Sequence, residues 1–347
     1  MSILNKIRLD IWVLLTFIVT AASATQMTQP PSQLRTFNNR WNWAEDQIKQ
    51  NKKPAWIGYA IDHDDSMTVH RNWYDEEDYV TFAELLNENG IDCPKSIHKT
   101  ALLFCLNEKS AVIDFQITDF DSRVKLKNRP VFWLGNVAQD PSVNQVIQLY
   151  QKANDPKIKK DLIFAVAIHR RSEQSQPFLK DVVKSQADEE LRKTAVFWLG
   201  QYHEEALDFL IDLVQKDRSE EVRKSAIFAI SQSHSDKAFD ALIHIAKNSK
   251  QLEMRKQAVF WLSQQENKKT GDALNGMVFD QDNVELQKQA VFALSQLDTK
   301  ESVDDLLKIV NTHPNPTIRK QAIFWLSQTD DPRALDALIS VIEKGRK

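Results

Sequence analysis

A ten-residue sequence that recurs along the chain places the strongest constraint on its fold. It occurs as RKTAVFWLGQ from Arg192 to Gln201, as RKQAVFWLSQ from Arg255 to Gln264 and as RKQAIFWLSQ from Arg319 to Gln328. In complete and partial copies its phenylalanine returns every 31 to 33 residues, at Phe132, Phe164, Phe197, Phe228, Phe260, Phe292 and Phe324. A fixed period of this length is typical of arrays of stacked units, because each unit buries its apolar face against its neighbours.

Each period contains two predicted helices. From Glu204 to Lys216 the apolar residues recur three and four positions apart, which indicates a helix with one buried face. The recurring element forms the second helix, and capping residues mark its beginning in several copies. Asp155 and Asn315 each precede a proline, so a capping side chain stands before a proline at the first helical position. Ser219 is positioned to cap its helix in the same way.

Paired helices with VRKSAIFAIS in the second helix closely resemble the HEAT-repeat family, especially its short bacterial type. The resemblance covers residues 126–347 and counts seven second helices, the first of which contains Phe132. The feature most specific to the family is an aliphatic residue followed by arginine, as in Val222 and Arg223. The family's aspartate six residues before the arginine is matched by Asp217. The resemblance implies a mainly α fold, a right-handed α-solenoid of helix pairs that holds partners and usually has no chemistry of its own.

The geometry of a helix predicts which residues of the second helix point away from the core. At about 100° per residue, Val222 and Ile230 share one buried face. Phe228 falls almost opposite to them, with Lys224 and Gln232 on either side. The three outward residues are spaced four apart, so they form one line along the helix.

This line recurs in five consecutive units, and we name it the Lys/Phe/Gln line. Its members are Lys193, Phe197, Gln201, Lys224, Phe228, Gln232, Lys256, Phe260, Gln264, Lys288, Phe292, Gln296, Lys320, Phe324 and Gln328. In HEAT-like solenoids the second helix lines the concave wall, so the resemblance implies a partner-binding wall for a protein or extended peptide. The lysines are expected to attract acidic groups and the glutamines to bond an extended backbone. The alternative is that the phenylalanines pack on each other and on the lysine stems.

The residue after each phenylalanine alternates between tryptophan and alanine. The series is Trp133, Ala165, Trp198, Ala229, Trp261, Ala293 and Trp325. Alternating a large with a small side chain allows stacked layers to interdigitate, so we expect the indoles to pack against an adjacent unit. Stacking of a sugar on the tryptophans is the alternative. The alternation also indicates a duplicated ancestor of two units.

The first 24 residues are typical of a secretory signal peptide. Lys6 and Arg8 give a positive start, residues 11–20 form an apolar core, and residues 22–24 are the small residues Ala-Ser-Ala. The alternative is an uncleaved membrane anchor, but the apolar run is shorter than the ~20 residues that a span needs. We expect cleavage after Ala24, a periplasmic or secreted location, and no stable membrane anchoring afterwards.

Residues 25–37 are expected to form a linker and residues 38–125 a small α+β domain with antiparallel hairpins. Its predicted elements are a helix at 40–52, strands at 54–61 and 67–73, a helix at 82–89 ending at Gly90, and a hairpin of strands 100–106 and 111–117. Cys93 and Cys105 both lie in this region. In an oxidising compartment we expect a disulfide between them, with two buried thiols as the alternative.

Residues able to carry chemistry are few. Asp62, His63, Asp64, Asp65 and His70 could supply ligands to a metal, but such a cluster in a predicted turn is typical of solvated turn residues. The sequence has no catalytic or phosphate-binding motif, so we expect no cofactor, no metal and no catalytic residue.

The net charge of −3 disfavours binding of nucleic acid. The sequence therefore favours an exported, non-enzymatic scaffold that binds a protein or peptide partner on the wall of its solenoid. The alternative is an enzyme or enzyme accessory, with an active or metal site in the N-terminal domain and the solenoid as a positioning arm. The identity of the partner and the oligomeric state stay open.

Overall fold

The computed structural model confirms a mainly α chain, in which a small sheet domain is followed by consecutive helix pairs. It describes residues 25–62, 81–93, 99–185, 188–202, 204–265, 267, 269–280, 283–297, 300–329, 331, 333–335 and 339. The expected signal peptide, the predicted strand at 67–73 and the ligand candidates His63, Asp64, Asp65 and His70 lie outside these residues. The chain divides into two compact units, one ending at Phe178 and the other beginning at Leu179.

The elements are numbered in chain order. The strands are β1 (Met27–Thr28), β2 (Ala55–Asp62), β3 (Lys99–Leu106), β4 (Val112–Thr118) and β5 (Val131–Asn136). The first helices are α1 (Phe37–Asn51), α2 (Phe82–Glu88), α3 (Gln139–Lys152), α4 (Pro156–Ala167) and α5 (Ser175–Lys184). The later helices are α6 (Glu189–Gly200), α7 (Glu204–Lys216), α8 (Glu220–Ser231), α9 (Asp236–Asn248), α10 (Leu252–Ser263), α11 (Thr270–Asp280), α12 (Val284–Ser295), α13 (Lys300–Thr312) and α14 (Pro316–Leu326).

The first unit is built on a mixed sheet with strand order β1-β5-β2-β3-β4. β2, β3 and β4 are antiparallel, which confirms the predicted hairpin, whereas β5 pairs parallel with both β2 and β1. Gly58 lies where β2 approaches its neighbours most closely. A Cβ there would stand 2.5 Å from Leu103 and 3.1 Å from Trp133, so only glycine fits without a shift of the neighbours.

Both faces of the sheet are buried at β2 and β3, where successive side chains point to opposite faces and nearly all are buried. On one face Trp56, Leu103 and Trp133 form a core with the short helix α2. On the other face Tyr59 and Phe104 stack with ring centroids 5.9 Å apart, next to aromatic side chains of α1. Burial on both sides explains why β2 and β3 are almost continuously apolar rather than alternating.

Two expected boundaries in this unit were wrong. Residues 25–37 are not only a linker, because Met27 and Thr28 form β1 and Phe37 begins α1. Phe132 and Trp133 were expected on a second helix, but they lie on β5, paired with Ile57 and Gly58 of β2. The sheet therefore continues beyond residue 125, and the first helix pair is α3 with α4.

In the structure Cys93 and Cys105 are not joined by the expected disulfide. Cys105 is fully buried in the core beside β2, and its sulfur accepts a hydrogen bond of 3.1 Å from Nη1 of Arg129. Cys93 packs against the same core from the loop that follows α2. Burial raises the pKa of both thiols, which lowers the fraction of reactive thiolate.

The second unit consists of successive helix pairs, as the period predicts. α7 has the bounds that the apolar pattern indicated. The predicted caps are confirmed in both compact units, since the side chains of Asp155 in the first and of Ser219 and Asn315 in the second each accept a hydrogen bond from the backbone of their helix. The second helices α6, α8, α10, α12 and α14 pack side by side in that order. In the part of the chain that the structure describes, no helix is long and apolar enough to span a membrane.

Candidate partner-binding surface

The Lys/Phe/Gln line lies on the five second helices, opposite the stripe that packs into the core. In α8, for example, Val222, Ala226 and Ile230 are fully buried, whereas Phe228 is only half-buried. The exposure of the phenylalanines differs between units. Phe197, Phe260 and Phe324 are 41%, 37% and 52% exposed, which makes them exposed large apolar residues. Phe228 and Phe292 are half-buried.

The tryptophan of the next unit covers each half-buried phenylalanine. The rings of Trp261 and Phe228 have centroids 4.9 Å apart, and those of Trp325 and Phe292 are 5.0 Å apart. These contacts support the expectation that the indoles pack against an adjacent unit. The three indoles, including Trp198, remain partly exposed. Alternation of tryptophan and alanine therefore changes what the surface offers, because every second phenylalanine is left more exposed. Phe197 also stacks on Phe228, with ring centroids 6.4 Å apart, so phenylalanines of neighbouring repeats pack on each other there.

Each exposed phenylalanine stands edge-on to the tryptophan that follows it in sequence. We call such a pair an aromatic step. The three steps are Phe197 with Trp198, Phe260 with Trp261, and Phe324 with Trp325. Their ring centroids are 5.0 Å apart in every case, and the interplanar angles are 81°, 77° and 77°. The surface thus repeats one aromatic arrangement with a period of two units.

Three of the five lysines of the line form ion pairs with glutamates of the first helical turns. Nζ of Lys224 lies 2.9 Å from Glu220, and it is 3.9 Å from Glu253 of the next unit. Lys193 and Lys288 pair in the same way with a glutamate three residues earlier, each at 2.9 Å. The hydrogen bonds that they donate to these glutamates raise the pKa of Lys193 and Lys224. The charges of these three lysines are therefore balanced locally, which weakens the attraction they were expected to have for acidic groups.

The glutamines of the line take part in a repeated contact that the sequence pattern did not reveal. In four of the five units a serine precedes the glutamine, and its Oγ donates to the carbonyl of the phenylalanine at 2.7 Å. The glutamine Nε2 lies 3.2 to 3.4 Å from that serine Oγ. Gln264, Gln296 and Gln328 are exposed. In the remaining unit Gly200 replaces the serine, because a Cβ there would lie 2.9 Å from that of Ala229.

Buried and half-buried arginines, rather than the lysines of the line, hold the helix pairs together. Nε of Arg192 donates to the carbonyl of Val183, and Nε of Arg255 donates to that of Ala246, at the end of the first helix of the same unit. The carboxylate of Asp217 pairs with Arg192 of the preceding unit, and its backbone carbonyl accepts from Nη1 of Arg223. Asp217 therefore links two units instead of pairing its carboxylate with Arg223.

A second polar cluster lies buried in the first compact unit, the one that ends at Phe178. Nε2 of His169 lies 2.6 Å from the hydroxyl of Ser142, which is 2.9 Å from that of Tyr59, and all three residues are fully buried. Nδ1 of His169 lies 2.6 Å from the carbonyl of Ala165, so it must carry the proton and donate it. Nε2 is then the acceptor of the neutral ring and faces the hydroxyl of Ser142. Burial lowers the pKa of His169 to about 4, which keeps the ring neutral. These contacts join β2, α3 and the end of α4.

The ligand candidates of the N-terminal turn gain little support. Asp62 is the one member that the structure describes, and its carboxylate forms an ion pair of 3.0 Å with Lys99. Among the described residues, no group of three or more potential ligands is positioned to hold a metal ion.

Comparison with known proteins agrees with the helix pairs. The family model for HEAT repeats matches residues 143–231, 177–263 and 274–347. A structure of the CpcE and CpcF complex of phycocyanin lyase from Nostoc sp. PCC7120 is 21% identical, with 48% of this chain and 70% of that chain covered and a TM-score of 0.32. Human deoxyhypusine hydroxylase in complex with glycerol is 18% identical, with coverages of 57% and 77% and a TM-score of 0.27. No match was found among curated protein sequences.

The family match covers more than half of the chain, and it begins within α3, where the sheet has ended. It includes every second helix that carries the Lys/Phe/Gln line. The chain belongs to the HEAT-repeat family.

Proposed function

We propose that this protein is an exported, non-enzymatic scaffold that binds a protein or peptide partner on the face formed by its second helices. The observation that carries the proposal is the exposed phenylalanine in every second repeat, at Phe197, Phe260 and Phe324. Large aromatic residues exposed in a row are unusual on a solvated surface and are typical of binding sites.

The size of the apolar contribution supports a binding role. A phenylalanine presents about 150–250 Å² to burial, and four-tenths of that area still faces solvent here. At ~25 cal/mol per Å², covering one such ring contributes about 2 kcal/mol, and three contribute about 6 kcal/mol before the costs of association. The half-exposed tryptophans beside them add contact area without ordering long side chains.

Site-specific photo-crosslinking in the native host tests the binding face. Benzoylphenylalanine replaces Phe260 in one variant and Ile113 in another, because Ile113 is a comparably exposed apolar residue on β4. We expect a discrete crosslinked partner at position 260 and none at 113. The variant F197S/F324S, carrying the same crosslinker at 260, should lose the adduct while keeping its helix content. Equal labelling at both positions, or an adduct unaffected by the double substitution, contradicts the proposal.

Export is a separate part of the proposal, and it is supported by the charged start, the apolar run and the small residues at 22–24. Expression of the full sequence in its host should give a chain that begins at Thr25, which intact-mass measurement detects. The substitution Ala24→Arg should block this processing. A full-length product in the cytoplasmic fraction would contradict export without affecting the binding proposal.

A further inference from the structure

An open cavity of about 510 Å³ is lined by residues of the first compact unit, which ends at Phe178. Its volume falls within the range of roughly 300–1,000 Å³ that is usual for small-molecule sites. On one side α1 ends at Asn51 and the chain continues into β2. On the other side lies the segment that leads into β5, from Asn128 to Phe132. The cavity therefore lies at the edge where these two strands begin.

The deepest part of this cavity is apolar. Ile48, Ala55 and Phe132 all line it, and all three are buried in the core of the unit. Covering apolar surface of this kind stabilises a complex in proportion to the area removed from water. The lining therefore favours a ligand with an apolar body over a bare inorganic ion.

The rim of the cavity is positively charged. Lys53 is exposed and Arg129 is half-buried, and neither forms an ion pair with a residue that the structure describes, whereas neighbouring Lys49 pairs with carboxylates of its own helix. No carboxylate is present among the described residues of the lining, and Asn51 and Asn128 add exposed amides. The end of α1 contributes about half a negative charge, which two full positive charges exceed. The rim thus attracts an anionic group.

Contacts of both its backbone and its side chain hold Arg129 at the rim. Residues 126–129 form a turn, closed by a hydrogen bond of 3.1 Å from the N–H of Arg129 to the carbonyl of Leu126. Nη1 of the guanidinium donates to the sulfur of buried Cys105 at 3.1 Å. A guanidinium has five N–H donors in a plane, so this bond fixes the group and leaves further donors for a ligand. Their forked arrangement matches the two oxygens of a carboxylate or a phosphate.

We propose that this cavity binds a small organic anion. Its carboxylate or phosphate group lies between Arg129 and Lys53, and its apolar body covers Ile48 and Phe132. The proposal does not depend on the face of the second helices, so the two can fail separately.

Fluorinated benzene derivatives test the chemistry of the ligand. Binding of 4-fluorobenzoate, 4-fluorophenyl phosphate and the neutral 4-fluorobenzamide to the full chain is followed by line broadening in fluorine NMR. We expect both anions to bind about tenfold more tightly than the amide, because they form charge-assisted hydrogen bonds. Inorganic phosphate should compete about tenfold more weakly than 4-fluorophenyl phosphate, since it leaves the apolar lining uncovered. Equal binding of the amide overturns the anionic ligand, and equal competition by inorganic phosphate overturns the apolar body.

Matched variants locate the bound anion. Arg129→Gln should weaken the binding of 4-fluorobenzoate about tenfold and Lys53→Gln about threefold, whereas Arg129→Lys should recover part of the loss by keeping the charge. Lys52→Gln removes the same charge from the adjacent residue, which does not line the cavity, and should change Kd by less than about 1.5-fold. Phe324→Ser should leave binding unchanged, because it alters only an aromatic step.

The comparison of K53Q with K52Q decides even where R129Q does not fold, because both lysines are exposed. Equal weakening by these two variants would show that general electrostatic attraction, rather than the cavity, holds the anion. Loss of binding in F324S would place the probe on the aromatic steps and overturn the site. Absence of binding by both anions at millimolar concentration overturns the proposal outright.

Discussion

Buried His169 is expected to make the stability of the first compact unit, which ends at Phe178, depend on pH. Its ring is neutral in the folded protein, because burial lowers its pKa from the usual 6.5 to about 4. In the unfolded chain the same ring takes up a proton near pH 6.5. Between these two values the unfolded state binds more protons, so the free energy of unfolding falls as the pH falls. A difference of about 2.5 pH units corresponds to about 3 kcal/mol.

The substitution His169→Gln isolates this contribution. Glutamine keeps a donor and an acceptor for the carbonyl of Ala165 and the hydroxyl of Ser142, but it does not titrate. At pH 8 we expect H169Q to be less stable than the wild type, because the ring no longer fills its buried site. As the pH falls from 6.5 to 4, the wild type should lose about 3 kcal/mol more than the variant. The stability difference should therefore shrink or reverse in acid.

The measurement must report the first unit alone, since the chain has two compact units. Urea unfolding followed by hydrogen-exchange mass spectrometry on peptides from β2 and β3 meets this condition. Carboxylates titrate in both proteins and cancel in the difference. Two parallel curves of unfolding free energy against pH would refute the assignment of a neutral, proton-excluding His169.

Three further substitutions test the packing. Gly58→Ala should cost about 1–3 kcal/mol, because the added Cβ lies 2.5 Å from Leu103, and an unchanged urea midpoint would contradict the close approach. Trp261→Ala should cost about 3 kcal/mol, at the lower end for large aromatic truncations because the indole is partly exposed, as measured by thermal unfolding. Asp217→Ala should cost about 3–5 kcal/mol by leaving buried Arg192 without its carboxylate, and a loss below 1 kcal/mol in urea unfolding would show that the pair is not buried in solution.

Local sequence signals predicted the helices well because the information lies within each helix. The apolar spacing from Glu204 to Lys216 and the capping side chain of Ser219 act over one or two turns, and the structure places both as expected. The outward direction of the phenylalanines follows from the helical repeat alone. These features need no knowledge of neighbouring units.

Which side chains the candidate surface exposes depends on contacts between neighbouring repeats, so it was only partly predictable from the sequence. Helical geometry gives Phe228 and Phe260 the same direction, yet Trp261 covers the first and leaves the second exposed. Similarly, the contact of Lys224 with Glu253 joins residues 29 positions apart in different helices. The alternation of tryptophan with alanine predicts that the indoles pack against an adjacent repeat, but it does not show that the outward phenylalanine is the ring they cover.

The sequence VFWLG occurs twice and shows which part of the recurring element specifies a helix. It forms β5 from Val131 to Gly135 and the end of α6 from Val196 to Gly200. Five residues are too few to fix a conformation, because an isolated helix needs about 12–15 residues to be marginally stable. The preceding residues therefore decide between strand and helix.

The residues that precede VFWLG differ between its two occurrences. Before α6 the capping residue Asp188 is followed by seven helical residues, with Arg192 anchored to the previous helix. Before β5, Asn128 has a positive φ of 53°, and Pro130 supplies no N–H for a ladder or a helix. Here VFWLG instead completes the sheet beside β2, and it ends at Gly135 with a φ of 75°. The charged, capped half of the element is thus what makes it helical. The aromatic half determines which side chains the element presents once its conformation is set. On β5 it presents Phe132 to Trp43 of α1, with ring centroids 5.4 Å apart.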